Sequence, residues 1–141
     1  MLCIYEDVKG KRYHQLIDLL ARQCDRFAFV ENRQLMDNDE DRLAYVEYLI
    51  ADINVHLIER KVQREWETTK LLKDTAYVYY FHLNNSTKAF LKDRSKSLFG
   101  WITELPEDLM FYKGDTCVLA ACSHEGFFMV DGSLWNSFNK R

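Results

Sequence analysis

Four consecutive residues, Cys122-Ser123-His124-Glu125, carry a thiol, a hydroxyl, an imidazole and a carboxylate. Nucleophilic catalysis uses such a set: Cys122 or Ser123 attacks, His124 takes the proton and a carboxylate orients the ring. Neighbours on a strand point to opposite faces, so Cys122 and His124 share a face and Ser123 does not. Neither a Gly-x-Ser-x-Gly elbow nor a papain-like cysteine context surrounds them. The competing expectation is a hairpin turn at Ser123–Gly126, with His124 and Glu125 exposed or bonded to the turn backbone. Glu104, Glu107 and Asp108 bracket Leu105-Pro106. Paired carboxylates serve glycoside hydrolysis, but a proline followed by acids is also how a helix begins, and a helix-start turn is expected here.

Metal and cofactor chemistry finds little local support. The histidines are His14, His56, His82 and His124; a zinc site wants several His/Cys ligands at short local spacing, and Cys122-Ser123-His124-Glu125 is the only dense cluster. The acidic run Asp37-Asn38-Asp39-Glu40-Asp41 lacks the central glycine of a calcium loop. It reads as a helix start, with carboxylates at the positive end of the helix dipole. No phosphate-cradling or dinucleotide glycine pattern occurs. The expectation is no metal and no cofactor.

The rest of the chain must position these groups. It has 141 residues, 48% hydrophobic and 14% aromatic, with five glycines and one proline. That suits one compact domain over residues 1–141. The net charge of −3 includes no basic block, which disfavours nucleic acid as a partner. No stretch approaches the roughly 20 apolar residues that cross a bilayer, so no membrane association is expected, and the N-terminus has no signal-peptide pattern. Cys3, Cys24, Cys117 and Cys122 include no C-x-x-C pair and read as buried reduced thiols. These features point to a cytoplasmic protein.

Periodicity predicts an α+β fold: an antiparallel sheet of about five to six short strands and about three helices, with one face packed on the helices. The helices are residues 11–24, about 39–60, and about 87–99 capped by Ser86. The second has the clearest stripe, with Leu43, Val46, Ile50, Ile53 and Leu57 at steps of three and four. Strands are predicted at 27–30, 62–70, 76–83, 109–112, 116–122 and 127–130. The 62–70 and 76–83 strands are expected to pair as a hairpin. In Tyr77-Val78-Tyr79-Tyr80-Phe81-His82, alternation sends Tyr77, Tyr79 and Phe81 to one face and Val78, Tyr80 and His82 to the other. An uncovered second face would make Tyr80 and His82 an amphipathic recognition surface.

The segments Leu105-Pro-Glu-Asp-Leu-Met-Phe-Tyr112, Ser123-His124-Glu125 and Trp66–Leu72 together resemble small bacterial proteins of poorly defined function, some of which are similar to immunity proteins. The resemblance covers about half of the chain. It implies neutralisation of a toxin by binding and carries over no catalytic residue.

The expected function is therefore binding of a protein partner, an immunity-type or regulatory role by occlusion of a basic toxin or effector. Asp37, Asp39 and Asp41 would steer the partner, and Tyr80, His82, His124 and Glu125 would contact it. The alternative is a small-ligand-binding protein or hydrolase using Cys122, His124 and Glu125. A homo-oligomer joined through the aromatic sheet face is a third reading.

Overall fold

The computed structural model describes residues 1–32 and 39–140. In chain order the elements are β1 (Leu2–Ile4), α1 (Lys11–Gln23), β2 (Arg26–Glu31), α2 (Asp39–Leu49), a 3-10 helix (Ala51–His56), β3 (Leu57–Gln63), β4 (Glu65–Trp66) and β5 (Thr69–Lys70). They continue with β6 (Ala76–His82), α3 (Asn85–Arg94), β7 (Glu107–Lys113), β8 (Thr116–Cys122), β9 (Phe127–Val130) and α4 (Gly132–Asn139). Seven strands form one sheet in the order β1-β9-β8-β7-β2-β6-β3, and β4-β5 make a separate ribbon. Every pairing is antiparallel. The fold is α+β as expected, but larger than expected: seven strands in the main sheet and, among the described residues, five helices.

One face of the sheet carries the large core. Phe27, Phe29, Tyr79, Phe81, Phe111 and Phe128 pack there against Tyr13, Leu16 and Leu20 of α1, Phe90 and Leu91 of α3, and Phe138 of α4. Phe27 stacks on Phe81 at 5.0 Å, and Phe29 stacks on Trp101 at 5.9 Å. The Trp101 indole N–H donates to the Tyr13 hydroxyl at 3.0 Å, which donates to the Leu91 carbonyl at 2.5 Å. Trp101 and Tyr13 thus keep their buried polar atoms paired. Alternation along β6 falls as the sequence implies, with Tyr79 and Phe81 in this core and Val78 and Tyr80 on the far side.

The far face is smaller and is not open. Ala28, Val30, Ala76, Val78, Met110 and Ala120 form it, and Trp66 and Leu71 pack over them. Short side chains leave a shallow trough that the 64–71 ribbon fills. The Tyr80 ring lies 6.3 Å from Tyr112, and its hydroxyl donates to Gln63 at 2.8 Å. Tyr80 is therefore half-buried under local cover instead of standing on an open platform.

Several expectations need correction. The predicted 39–60 helix ends at Leu49, becomes a 3-10 turn, and is a strand from Leu57. Leu57, Arg60 and Val62 pair with Phe81, Tyr79 and Tyr77, so sheet pairing overrides the helical stripe. The stripe survives only as far as Val46, Ile50 and Ile53, which are buried. The predicted 62–70 strand therefore splits: residues 62–63 finish β3, which pairs with β6 as foreseen, and the remainder turns into the ribbon. The third helix starts two residues earlier and stops at Arg94: Asn84, not Ser86, is its cap. Its side chain accepts from the Ser86 and Thr87 N–H groups, and the Thr87 hydroxyl accepts from the Asn84 N–H. No helix starts after Pro106, where β7 begins. The cysteines are all free, as expected, but only Cys24 and Cys122 are buried: Cys117 is half-buried and Cys3 is exposed.

An ion pair ties the start of α2 to the sheet. Arg42 donates through Nε to Glu31 at the end of β2 and through Nη2 to the Thr103 carbonyl at 3.0 Å. Glu31 is 2% exposed and its second carboxylate oxygen has no hydrogen-bond partner. Burial raises its pKa above the usual glutamate value, against the pull of Arg42. The folded state therefore binds the Glu31 proton more readily than the unfolded chain does. The associated stability is present below the ordinary carboxylate pKa and is lost as pH rises through the folded value. Urea unfolding at pH 5 and pH 8 is expected to show a smaller stability loss in Glu31→Gln than in the unaltered chain. Equal losses would remove Glu31 from the pH response.

Candidate functional site

The chemistry gathers at one end of the far face, and a β-bulge puts it there. β2 and β7 pair Ala28 with Met110 and Val30 with Glu107, so Asp108 and Leu109 together stand opposite Phe29. Such an extra residue bends the strand and re-aims side chains. Asp108 has φ 58°, in the left-handed region that Asp enters more readily than most residues. The bulge breaks alternation. Glu107 lies beside Val30 of the far face, and the next residue, Asp108, also turns toward the ribbon on that face.

Asp108 has no exposed surface. Its Oδ2 accepts from the Trp66 indole N–H at 2.9 Å, and its Oδ1 accepts from the Ser123 backbone N–H at 3.0 Å. Burial pushes its pKa up, while those two donors and His124 oppose the shift. Glu107, 6% exposed, places Oε2 3.4 Å from His124 Nδ1. Burial and the adjacent Asp108 push its pKa up as well, against His124 and a hydrogen bond from Asn32. Cys122 Sγ lies 3.9 Å from His124 Nδ1 and 3.9 Å from Glu125 Oε2. Burial drives its thiol up to about 11. At neutral pH Cys122 is a thiol, whereas a poised cysteine nucleophile is held as thiolate.

The structure thus joins Cys122, His124 and Glu125 to one another and adds Glu107, Asp108 and Trp66, which sequence reasoning did not place there. Glu107 and Asp108 are not acids of a helix start but buried strand residues. The segments containing Trp66, Leu105–Tyr112 and Ser123–Glu125 meet at Asp108. His82 is elsewhere: it pairs with Arg26, which pairs with Tyr112 near the opposite end of β7. Tyr80 sits between these ends on β6. Asp39 and Asp41 occupy the first turn of α2 as expected; Asp37 lies outside the described residues.

A second feature lies at the sheet edge. Among the described residues β3 pairs only with β6, and the segment around it exposes Tyr45, Tyr48, Val55, Ile58, Val62 and Leu72. Among the described residues these are six of the nine exposed large apolar side chains, and Tyr48, Val55 and Leu72 are 81%, 86% and 92% exposed. α2 buries only Val46. Residues 39–63 carry six acids and three bases. A cavity of about 530 Å³, lined by Glu47, Ile50, Asn54, Leu57, Arg60 and Tyr79, opens in the same region.

No family model, curated protein or solved structure matches the chain. Among the described residues, no helix is long and apolar enough to cross a membrane.

Trp66→Phe keeps most of the apolar body over the trough but removes the donor to Asp108 Oδ2. A buried acceptor left unpaired costs about 1–3 kcal/mol. Urea unfolding is expected to show a loss of that size. A loss under about 0.5 kcal/mol, the range of ordinary surface changes, would mean the indole N–H holds nothing in place.

Proposed function

We propose that the chain binds another protein along the α2–β3 edge and acts by occluding it, as an immunity-type or regulatory partner would. The observation carrying this reading is the concentration of exposed apolar side chains on one contiguous segment at an unpaired sheet edge. Soluble proteins rarely leave such surface uncovered without a use, and tyrosine is enriched in binding surfaces. The free backbone groups of β3 offer strand addition as one mode of contact.

Charge suggests the partner's character. Asp39, Glu40 and Asp41 begin α2, and Glu47, Asp52 and Glu59 follow along the same segment. A surface of this sign speeds association with a basic protein and makes that association sensitive to salt. Asp39 and Asp41 keep their proposed steering role. The contact residues shift from Tyr80 and His82 toward Tyr45, Tyr48, Val55, Ile58 and Val62.

Capture from the native cell tests this directly. A partner retained by the unaltered chain is expected to be lost by Tyr48→Ala combined with Val55→Ser. Truncating a hot-spot tyrosine costs about 2 kcal/mol or more of binding, while these exposed positions change stability by under about 0.5 kcal/mol. Asp39→Asn with Asp41→Asn is expected to slow association and flatten its salt dependence. Full retention of the partner by the Tyr48/Val55 variant would overturn the assignment of this edge.

A further inference from the structure

We propose that Asp108, Cys122 and His124 bind a divalent transition cation of the zinc type. One potential ligand atom from each residue lies within 4.8 Å of the other two. His124 Nδ1 and Cys122 Sγ are 3.9 Å apart. A tetrahedral zinc with bonds of roughly 2.0–2.3 Å holds its donors about 3.3–3.8 Å from one another. The Cys–His separation is near that value already, and closing the set onto a cation takes side-chain adjustments of about 1 Å. His124 is on an exposed turn and is free to make them, and its half-exposed ring gives a cation a way in.

The donor set decides the metal class. With its proton released to solvent as the cation binds, Cys122 supplies a thiolate beside an imidazole and a carboxylate, a set that suits zinc, while magnesium and calcium take oxygen ligands. The surroundings have the form of a metal site's supporting contacts. Trp66 and the Ser123 N–H orient the Asp108 carboxylate, as outer hydrogen bonds do for ligating carboxylates. Each of its oxygens accepts one hydrogen bond here and has a further lone pair to offer. The Ser123 hydroxyl, between two of the ligands in sequence, is buried without a hydrogen-bond partner. Such orphans mark places where an ordered water or ion belongs.

Three protein ligands leave a fourth position open, which is how zinc sites that work on a bound molecule differ from purely structural ones. Glu107 Oε2, 3.4 Å from His124 Nδ1, stands beside the set. β8 lies four strands from β3 in the sheet, so this proposal is independent of the partner-binding edge and the two fail separately.

The test uses the full chain stripped with a chelator and titrated with zinc and with cobalt(II). One cation per chain is expected, with a thiolate-to-cobalt charge-transfer band and the intense visible bands of a tetrahedral ion. Calcium and magnesium are expected not to compete. Cys122→Ser is expected to abolish the charge-transfer band, and His124→Ala to weaken zinc binding at least about tenfold, the scale of losing a contact in such a site. Cys3→Ser, at an exposed thiol distant in the sequence, is expected to change nothing. His124→Ala alters only an exposed turn and keeps the test valid where a Cys122 variant fails to fold. The proposal is overturned if the chain shows no saturable binding, if His124→Ala or a folded Cys122→Ser binds zinc as tightly as the unaltered chain, or if Cys3→Ser removes binding.

Discussion

A carboxylate with no exposed surface must find its hydrogen-bond donors inside the protein, and Asp108 finds two, from segments far apart in the chain. One is the Trp66 indole of the ribbon and the other is the Ser123 amide of the β8–β9 turn. To face both, Asp108 leaves regular strand geometry for a left-handed bulge. Much of the far face follows from that. The ribbon is drawn across the sheet, so Trp66 and Leu71 close the trough over Ala28, Val30 and Ala120. The turn is drawn toward β7, so Cys122 and His124 come beside Glu107. Strain and burial at one residue are offset by hydrogen bonds to its charge, which are stronger than those between neutral groups. Removing either donor would leave a buried acceptor unpaired, so the arrangement holds together as a unit.

The two faces of the sheet solve burial differently. The helix-facing side uses large aromatics, and the Trp101–Tyr13–Leu91 chain pairs two of their polar atoms within the core. The far side uses small residues and polar groups roofed by a short ribbon. Between them, at the β3 edge, neither solution is applied. α2 is anchored through Arg42 to Glu31 and Thr103, and through Leu43, Val46 and Leu49 on its core side. Its tyrosines are therefore left facing outward without costing the helix its attachment, and that is the physical basis for reading this edge as a binding surface.

Local signals in the sequence were reliable where local forces dominate. The 3.6-residue pattern of Tyr13, Leu16, Ile17 and Leu20 marks α1 almost to the residue, and the β-branched and aromatic run at 77–82 marks β6 and both its faces. The turn at Ser123–Gly126 is legible from its polar residues and glycine. The 39–60 segment misleads because Ile50, Ile53 and Leu57 fit a helical stripe and a turn-then-strand path equally well. Pairing with β6 decides between them, and that contact spans about twenty residues of sequence. Asp108 was unreadable for another reason. A bulge cancels the alternation from which a strand is recognised, and Pro106 followed by acids imitates a helix start. Trp66 was legible as an apolar residue but not as a donor, because its partner is 42 residues away.

The Cys122–Glu125 cluster raised two readings, a chemical group and an ordinary turn, and the structure shows that they are compatible. Gly126 adopts φ 71°, and its N–H donates to the Cys122 carbonyl at 3.0 Å, which closes the turn through the backbone. His124 is consequently positioned by hydrogen bonds of the main chain and not by packing around its ring. The ring stays half-exposed while its backbone is fixed beside β7. A residue held this way can face solvent on one side and Glu107 and Cys122 on the other without depending on the core. Precise sites need groups held by rigid elements and supported from behind. Here the support is Asp108, which holds the turn at Ser123 and the roof at Trp66. The same bonds that make the turn ordinary are those that bring its thiol and imidazole to two buried carboxylates.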